Sequence, residues 1–306
     1  QEAFQQDLVL KINPPTNEEI DYLRACTYLV TALQINLRDS EYFNKLADKK
    51  VNAIAFEFIQ DEYKQLSLVR LIGEIAGTSS ILYASELLAL SNGLMLGGIT
   101  GVRPSEVIII GAGIVGEFAT KAAIGLGASV KVYDNSISKL RRLHTIIDSR
   151  VPTSMIDPKE LTKSLRRADV VIGALPRLNQ TPIVTEDMVL KMKKGSVIID
   201  VTIDNGKVFE TSELTTQENP YFIKHDVIHC GLPNLTSRIP RTTTKAISNF
   251  FLSYILNYDD EGGFENMLLK NNEMKQSLYM YKGRHTKKLI CERFNLTYHD
   301  INLLLF

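Results

Sequence analysis

Apolar and polar positions follow a β/α rhythm along most of the chain. An apolar run at 8–12 predicts a strand. Pro14-Pro15-Thr16 followed by Glu18 and Glu19 then predicts a turn and a capped helix running to Leu23. Residues 28–33 and 51–56 predict two further strands, with a helix between them capped by Asp39 or Ser40 and running through Ala47. Steps of three and four between apolar residues predict a long helix over 67–90, and a glycine-dense stretch at 93–102 follows it as a hinge or an ordinary loop. Strand-like runs at 107–110, 129–134, 168–174, 195–201 and 227–230 come next, separated by helix-period segments at 117–127, 138–147, 158–166 and 185–192. Residues 242–256 predict a long helix with Phe250, Phe251 and Ile255 on its apolar face. The amphipathic tail, 274–306, ends in Ile301-Asn-Leu-Leu-Leu-Phe306 and reads as core or oligomer contact.

One stretch stands apart. Val107-Ile-Ile-Ile-Gly111-Ala-Gly113-Ile-Val-Gly116 runs an apolar strand into three glycines at G-x-G-x-x-G spacing and then into a helix. Gly111 suits a tight turn, Gly113 a close approach of backbone to a pyrophosphate, and Gly116 close packing of helix on sheet. Ile114 and Val115 stand between the last two glycines, where the helix N-terminus faces the phosphate charge. The next strand ends eighteen residues after Gly116 in Asp134, placed to accept hydrogen bonds from an adenosine ribose and to repel a 2′-phosphate. That predicts NAD as cofactor; the bland reading is a tight turn that binds nothing. In such sheets ligands lie at strand ends, and three later ends carry Leu175-Pro176, Ile203 with Asp204-Asn205-Gly206, and Leu232-Pro233-Asn234. Asp-Asn-Gly also favours a tight turn unaided, so Asp204 keeps both readings open.

Composition narrows the picture. With 306 residues the chain can hold two domains. The 35 basic residues balance the 35 acidic ones without any basic run, which argues against nucleic acid or an anionic membrane as partner. The longest apolar candidate, 71–90, carries Glu74 and Glu86, so no membrane insertion is expected. Cys26, Cys230 and Cys291 lie far apart in no metal or disulfide pattern, which suits a reducing, cytoplasmic setting. No metal site is expected. His225 and His229 flank the last strand as isolated histidines and read as structural. The chain opens on Gln1, and its first strand has no visible predecessor; we expect residues upstream of it.

Asp7-Leu-Val-Leu-Lys11, Gly73-Glu-Ile-Ala-Gly77, Leu96-Gly-Gly-Ile-Thr-Gly-Val102, the glycine turn, Arg167-Ala-Asp-Val-Val-Ile-Gly-Ala174, Gly195-Ser-Val-Ile-Ile-Asp-Val-Thr-Ile-Asp204 and Pro240-Arg-Thr-Thr-Thr244 together resemble the alanine dehydrogenase / proton-translocating transhydrogenase α-subunit family. The likeness spans essentially the whole chain and is greatest to alanine dehydrogenase-like proteins. It implies an α/β fold in which a Rossmann-type doubly wound parallel sheet is inserted in a second, flavodoxin-like α/β substrate domain. The implied division is 1–75 for the first part of the substrate domain, 76–240 for the NAD-binding domain, and 241–306 for C-terminal helices returning to the substrate domain. It also implies that about seventy residues of the usual first domain lie upstream, with an arginine that holds the substrate carboxylate.

Matched by position, Asp134 is the ribose acid, Lys139 the basic residue near the adenosine end, and Leu175 the apolar contact after the fourth strand. Asp204 is the aspartate beside the nicotinamide, and Asn234 with Leu235 is the Asn-Met pair that touches it. Three positions depart from the family. Its substrate lysine is Asn13, its catalytic histidine is Gln34, and the serine opening its Ser-Glu-Val-Ala-Gly segment is Gly73. The loop after Ala174 is also about two residues shorter, and Gln-Gly-Gly-Cys has become Asn205-Gly-Lys207-Val.

Oxidative deamination needs a cation for the carboxylate, a base for protons, and hydride transfer to the nicotinamide. Gln34 cannot take up a proton, and losing a general base costs a factor of about a hundred to ten thousand. Asp204 is the remaining candidate base. Lys11 could replace the missing cation. The resulting expectation is an NAD-dependent alanine dehydrogenase, interconverting L-alanine with pyruvate and ammonia, with a small amino or keto acid as substrate and a homo-oligomer, hexamer or dimer, as its state. The alternatives are a transhydrogenase-like or regulatory NAD(H)-binding protein without deaminating activity, and a binding or assembly protein that kept the fold alone.

Overall fold

The computed structural model describes residues 1–61, 63–147, 151–177, 180–256 and 262–305. In chain order the first elements are β1 (Leu8–Lys11), α1 (Asn17–Asp21), β2 (Tyr28–Thr31), α2 (Ser40–Asp48), β3 (Asn52–Ala55) and the long α3 (Ser67–Asn92). The middle of the chain follows with β4 (Glu106–Ile110), α4 (Ile114–Gly125), β5 (Ser129–Tyr133), α5 (Ile137–Ile146), β6 (Thr153–Ser154) and α6 (Pro158–Leu165). It continues through β7 (Val170–Gly173), α7 (Glu186–Val189), β8 (Val197–Asp200), β9 (Phe222–Lys224) and β10 (Val227–Cys230). The last elements are α8 (Pro240–Leu256), α9 (Phe264–Lys270), α10 (Asn272–Ser277), β11 (Leu278–Tyr281), β12 (Arg284–His285), α11 (Lys288–Phe294) and α12 (Ile301–Leu304). The Ile255 side chain and Phe306, both singled out above, lie outside the described residues.

The chain divides into two compact units, one of residues 1–70 and 246–306, the other of 71–245. In the first unit the described strands form a sheet in the order β1-β2-β3-β11-β12. The pairs β1–β2 and β2–β3 are parallel, while β11 runs antiparallel to β3 and to β12. Local chemistry sets the helix starts. At α1 the Thr16 hydroxyl accepts the Glu19 N–H at 3.2 Å and the Glu19 carboxylate accepts the Thr16 N–H at 2.8 Å, a reciprocal cap. At α2 the cap is Asp39, whose carboxylate accepts the Tyr42 N–H at 2.9 Å.

The C-terminal segment, expected as helices, also contributes β11 and β12. Leu278, Tyr279, Met280 and Tyr281 are all buried, so no apolar/polar alternation marks them as a strand. The turn that follows uses positive φ at Lys282 and Gly283, the geometry a tight hairpin requires.

The second unit is a Rossmann-type sheet. Its described strands run β6-β5-β4-β7-β8-β10-β9, all parallel except the edge strand β9, which is antiparallel to β10. Alternation along β4 sends Val107 and Ile109 to one face, where Ile81, Ala84 and Leu88 of α3 and Ala119 and Ala123 of α4 pack. Ile108 and Ile110 go to the other face, against Leu161, Leu165 and Val189. Both faces are therefore covered, which is why these strands read as continuous apolar runs. The strand order reverses between β4 and β7, so the carboxyl ends of these two neighbours border the crevice in which such sheets bind ligands.

Candidate functional site

The glycine turn links β4 to α4, and each glycine answers to a different constraint. Gly111 has φ +118°, and a Cβ there would overlap the carbonyl oxygen of Ala174. A Cβ on Gly116 would overlap the carbonyl oxygen of Gly111, so helix and turn touch backbone to backbone. At Gly113 a Cβ would meet nothing within 4 Å, so this residue faces open space. Gly113 is the N-cap of α4 and makes no side-chain cap, which leaves first-turn N–H groups pointing out of the helix end. Behind the turn lies α3. A Cβ on its Gly77 would overlap the Val115 carbonyl, and one on Gly73 would come 3.2 Å from Ile114 Cγ2. The small residues of Gly73-Glu-Ile-Ala-Gly77 thus let α3 lie directly on the first turn of α4.

Asp134 follows β5 and is buried beside this turn, 1% exposed. One carboxylate oxygen accepts the Ala112 N–H at 2.7 Å and the other the Ser136 N–H at 2.7 Å. Each oxygen retains a second lone pair. Sequence reasoning missed the partners of this turn. Arg142 donates to the Ala112 carbonyl at 3.3 Å and to Glu117 at 2.6 Å. Glu117, fully buried in the first turn of α4, also takes Lys121 at 2.7 Å. Burial pushes the Glu117 carboxyl upward, but the hydrogen bonds and charges of Lys121 and Arg142 outweigh it and hold the group below its usual range. The spacing of Glu117 and Lys121 was a readable signal. Arg142, twenty-five positions from Glu117, carried none. Lys139 is exposed in the first turn of α5.

The next strand ends close around the turn. Ala174 donates to the Ile110 carbonyl at 2.7 Å, which sets Leu175, half-buried, just beyond Gly111. Arg177 donates to the Asn205 carbonyl at 3.0 Å, joining the loop after β7 to the loop after β8. There a short 3-10 turn, Ile203–Asn205, carries Asp204. The residue is exposed, yet the surrounding protein desolvates its carboxyl enough to raise it above the usual carboxylate range, against hydrogen bonds from its own N–H and from Asn205. Ile203 is buried, and its Cγ1 would lie 3.4 Å from a Cβ on Gly231. Beyond β10, Asn234 is exposed with φ +54°, whereas the Leu235 side chain is 3% exposed within the core cluster.

The histidines near β10 are held structurally. His229 is buried, its Nδ1 donating to the Val227 carbonyl at 3.0 Å and its Nε2 accepting from Thr211 at 2.8 Å. Burial lowers it to about 4, so the ring is neutral. His225 meets Glu186 at 2.6 Å. Among the described residues no three His, Cys, Asp or Glu side chains gather as a metal ion would need.

Lys11, Asn13 and Gln34 belong to the first unit. Thr31 donates to the Asn13 carbonyl at 2.9 Å and Ala32 to the Ile12 carbonyl at 3.2 Å, so Asn13 and Gln34 follow adjacent strands at the same sheet edge. Asn13 is exposed, while Lys11 pairs with Glu19 at 3.1 Å and points to the α1 cap. Gln34 is half-buried in the left-handed region, φ +50°, where a glutamine is uncommon. Glu57 holds it there, accepting the N–H of Leu33 and that of Gln34, each at 2.9 Å.

Comparison with known proteins agrees in both units. Residues 1–76 match the alanine dehydrogenase/PNT N-terminal domain, and residues 83–288 the alanine dehydrogenase/PNT C-terminal domain. Alanine dehydrogenase 2 of Staphylococcus aureus (strain USA300) is 36% identical over 301 residues, covering 96% of this chain and 80% of the relative. The alanine dehydrogenase of Staphylococcus haemolyticus (strain JCSC1435) has the same identity and coverage. Among solved structures, an L-alanine dehydrogenase superposes with a TM-score of 0.85 at 29% identity, covering all of this chain and 83% of the other. The transhydrogenase from Sinorhizobium meliloti, with a TM-score of 0.76 at 18% identity over 94% and 81% of the two chains, shares the fold. No described helix is long and apolar enough to cross a membrane. With both domains matched and relatives above one-third identity along nearly its whole length, the chain belongs to the alanine dehydrogenase/PNT family.

Proposed function

We propose that the chain is an NAD-dependent amino-acid dehydrogenase that interconverts L-alanine with pyruvate and ammonia. The observation that carries this reading is the uncapped glycine turn with the Asp134 carboxylate fixed beside it. The residues fit an adenine dinucleotide. Open space at Gly113 and free first-turn N–H groups suit a pyrophosphate, and the spare lone pairs of Asp134 suit ribose hydroxyls. A 2′-phosphate would bring negative charge against a buried carboxylate, so NAD is favoured over NADP. Lys139 would lie toward the adenosine end; Leu175, Ile203, Asn234 and Leu235 would border the nicotinamide. When bound, the cofactor accepts or returns the hydride of the substrate Cα.

The remaining chemistry falls to the chain. Asp204 would take the protons that leave the amine and the attacking water, a task eased by a carboxyl held above its usual range. Gln34 would donate a hydrogen bond to a substrate oxygen but accept no proton, and Asn13 would bind a carboxylate without charge. Lys11 is committed to Glu19 and would have to leave that pair to serve as the cation.

Asn13 and Gln34 also favour a second reading, an NAD(H)-binding protein of transhydrogenase-like or regulatory type without deaminating activity. One experiment separates the two. NADH is titrated into the protein by fluorescence, and L-alanine with NAD⁺ is followed at 340 nm. Binding with turnover supports the dehydrogenase, binding without turnover the second reading. Absence of NADH binding removes both.

A further inference from the structure

Asp200 ends β8 and is fully buried, yet it belongs to none of the groups assigned above. From it the chain departs into the turn that carries Asp204 and returns through Val208 to Ser212. The Asp200 carboxylate accepts the Val208 N–H at 3.0 Å. The N–H groups of Thr202 and Phe209 and the hydroxyl of Ser212 face the same carboxyl and partly offset the burial that raises it to about 6. Oδ1 and the Ser212 hydroxyl are both left without a hydrogen bond of ordinary geometry. One buried side chain at the end of β8 therefore holds the chain where it returns after Asp204. Every group that faces this carboxyl is a donor from the same loop, and the bond from Val208 offsets part of the cost of burying it.

We propose that Asp200 is a positioning residue, whose carboxyl fastens the returning chain at Val208 to the end of β8 and thereby fixes where Asp204 stands. The catalytic half of this proposal rests on the reading of Asp204 as proton acceptor. The fastening half does not.

The test uses the full chain and three variants, Asp200→Asn, Asp204→Asn and the double Asp200→Asn/Asp204→Asn. Amide hydrogen exchange of peptides from 201–212 should rise about tenfold in Asp200→Asn while β4 and β7 exchange as before. Unchanged exchange in 201–212 overturns the proposal. Should Asp200→Asn fail to fold, the wild type decides through the Val208 amide, which should exchange at least about tenfold more slowly than an unstructured amide, an unprotected Val208 amide overturning the idea. In turnover with L-alanine and NAD⁺, Asp200→Asn should lower kcat about tenfold at constant KM for NAD⁺, and the double variant should be no slower than Asp204→Asn alone. Losses that multiply in the double variant overturn a role exerted through Asp204. If the wild type shows no turnover, the dehydrogenase reading fails, and the exchange result alone decides the fastening.

Discussion

Asp200 and His229 lie on the neighbouring strands β8 and β10, and burial drives their titrations in opposite senses. Asp200 is raised from the ordinary aspartate value to about 6. Between about pH 4 and 6 the folded chain therefore keeps a proton that the unfolded chain has released, so this group's contribution to stability declines as pH rises. His229 is lowered to about 4, so across the same window the unfolded chain binds a proton that the folded chain refuses. Its contribution to stability grows as pH rises. Each slope is about 1.4 kcal/mol per pH unit, or about 3 kcal/mol over the two units, and the two cancel in the wild type.

His229→Gln removes one arm. Relative to wild type, its unfolding free energy should fall by about 3 kcal/mol from pH 4 to pH 6, a urea midpoint displacement of about 1–3 M. Asp200→Asn should show the opposite trend by a similar amount. Urea unfolding at pH 4, 5 and 6 measures both, and referring each variant to wild type removes the titration of the other carboxylates. Curves that stay parallel to wild type for both variants would refute the opposed burial on which the argument stands.

The remaining predictions concern the candidate site. Gly116→Ala forces a Cβ onto the Gly111 carbonyl and should lower the melting temperature and abolish NADH binding, whereas Gly113→Ala should fold as wild type and weaken NADH at least about tenfold, read by differential scanning and fluorescence titration. Asp134→Ala removes two charge-assisted bonds of about 1.5–3 kcal/mol each, so it should destabilise the second unit, weaken NADH and relax discrimination against NADPH; unchanged affinity for both cofactors would remove Asp134 from the ribose site. Asp204→Asn should lower kcat by a factor of about a hundred to ten thousand and leave NADH affinity within about threefold, and a fully active variant would exclude it from the chemistry. Gln34→His with Asn13→Lys should raise L-alanine turnover about a hundredfold, measured at 340 nm, if base and cation are what the first unit lacks.

What the sequence could disclose follows from the range of each interaction. The glycine turn was legible because backbone overlap at Gly111 and Gly116 leaves no choice of residue, and residue choice is what a sequence records. Asp134 was legible as the end of a strand, but not its bonds to Ala112 and Ser136, since a pattern locates a side chain and is silent on its partners. Arg142 and Glu117 meet across twenty-five positions with no periodicity linking them, and β11 is a strand because of β3, more than two hundred positions earlier. The clearest case is Asp200 and Asp204. They are four positions apart in one apolar segment and present the same side chain to any sequence pattern. Asp200 ends a strand inside a covered sheet, where only backbone and hydroxyl donors reach it. Asp204 sits past the strand on a 3-10 turn, as an exposed residue. Counting residues cannot separate a buried acid that serves its own loop from an exposed one that could serve a substrate. That distinction is made by the turn between them, which exists only once Val208 has returned to Asp200.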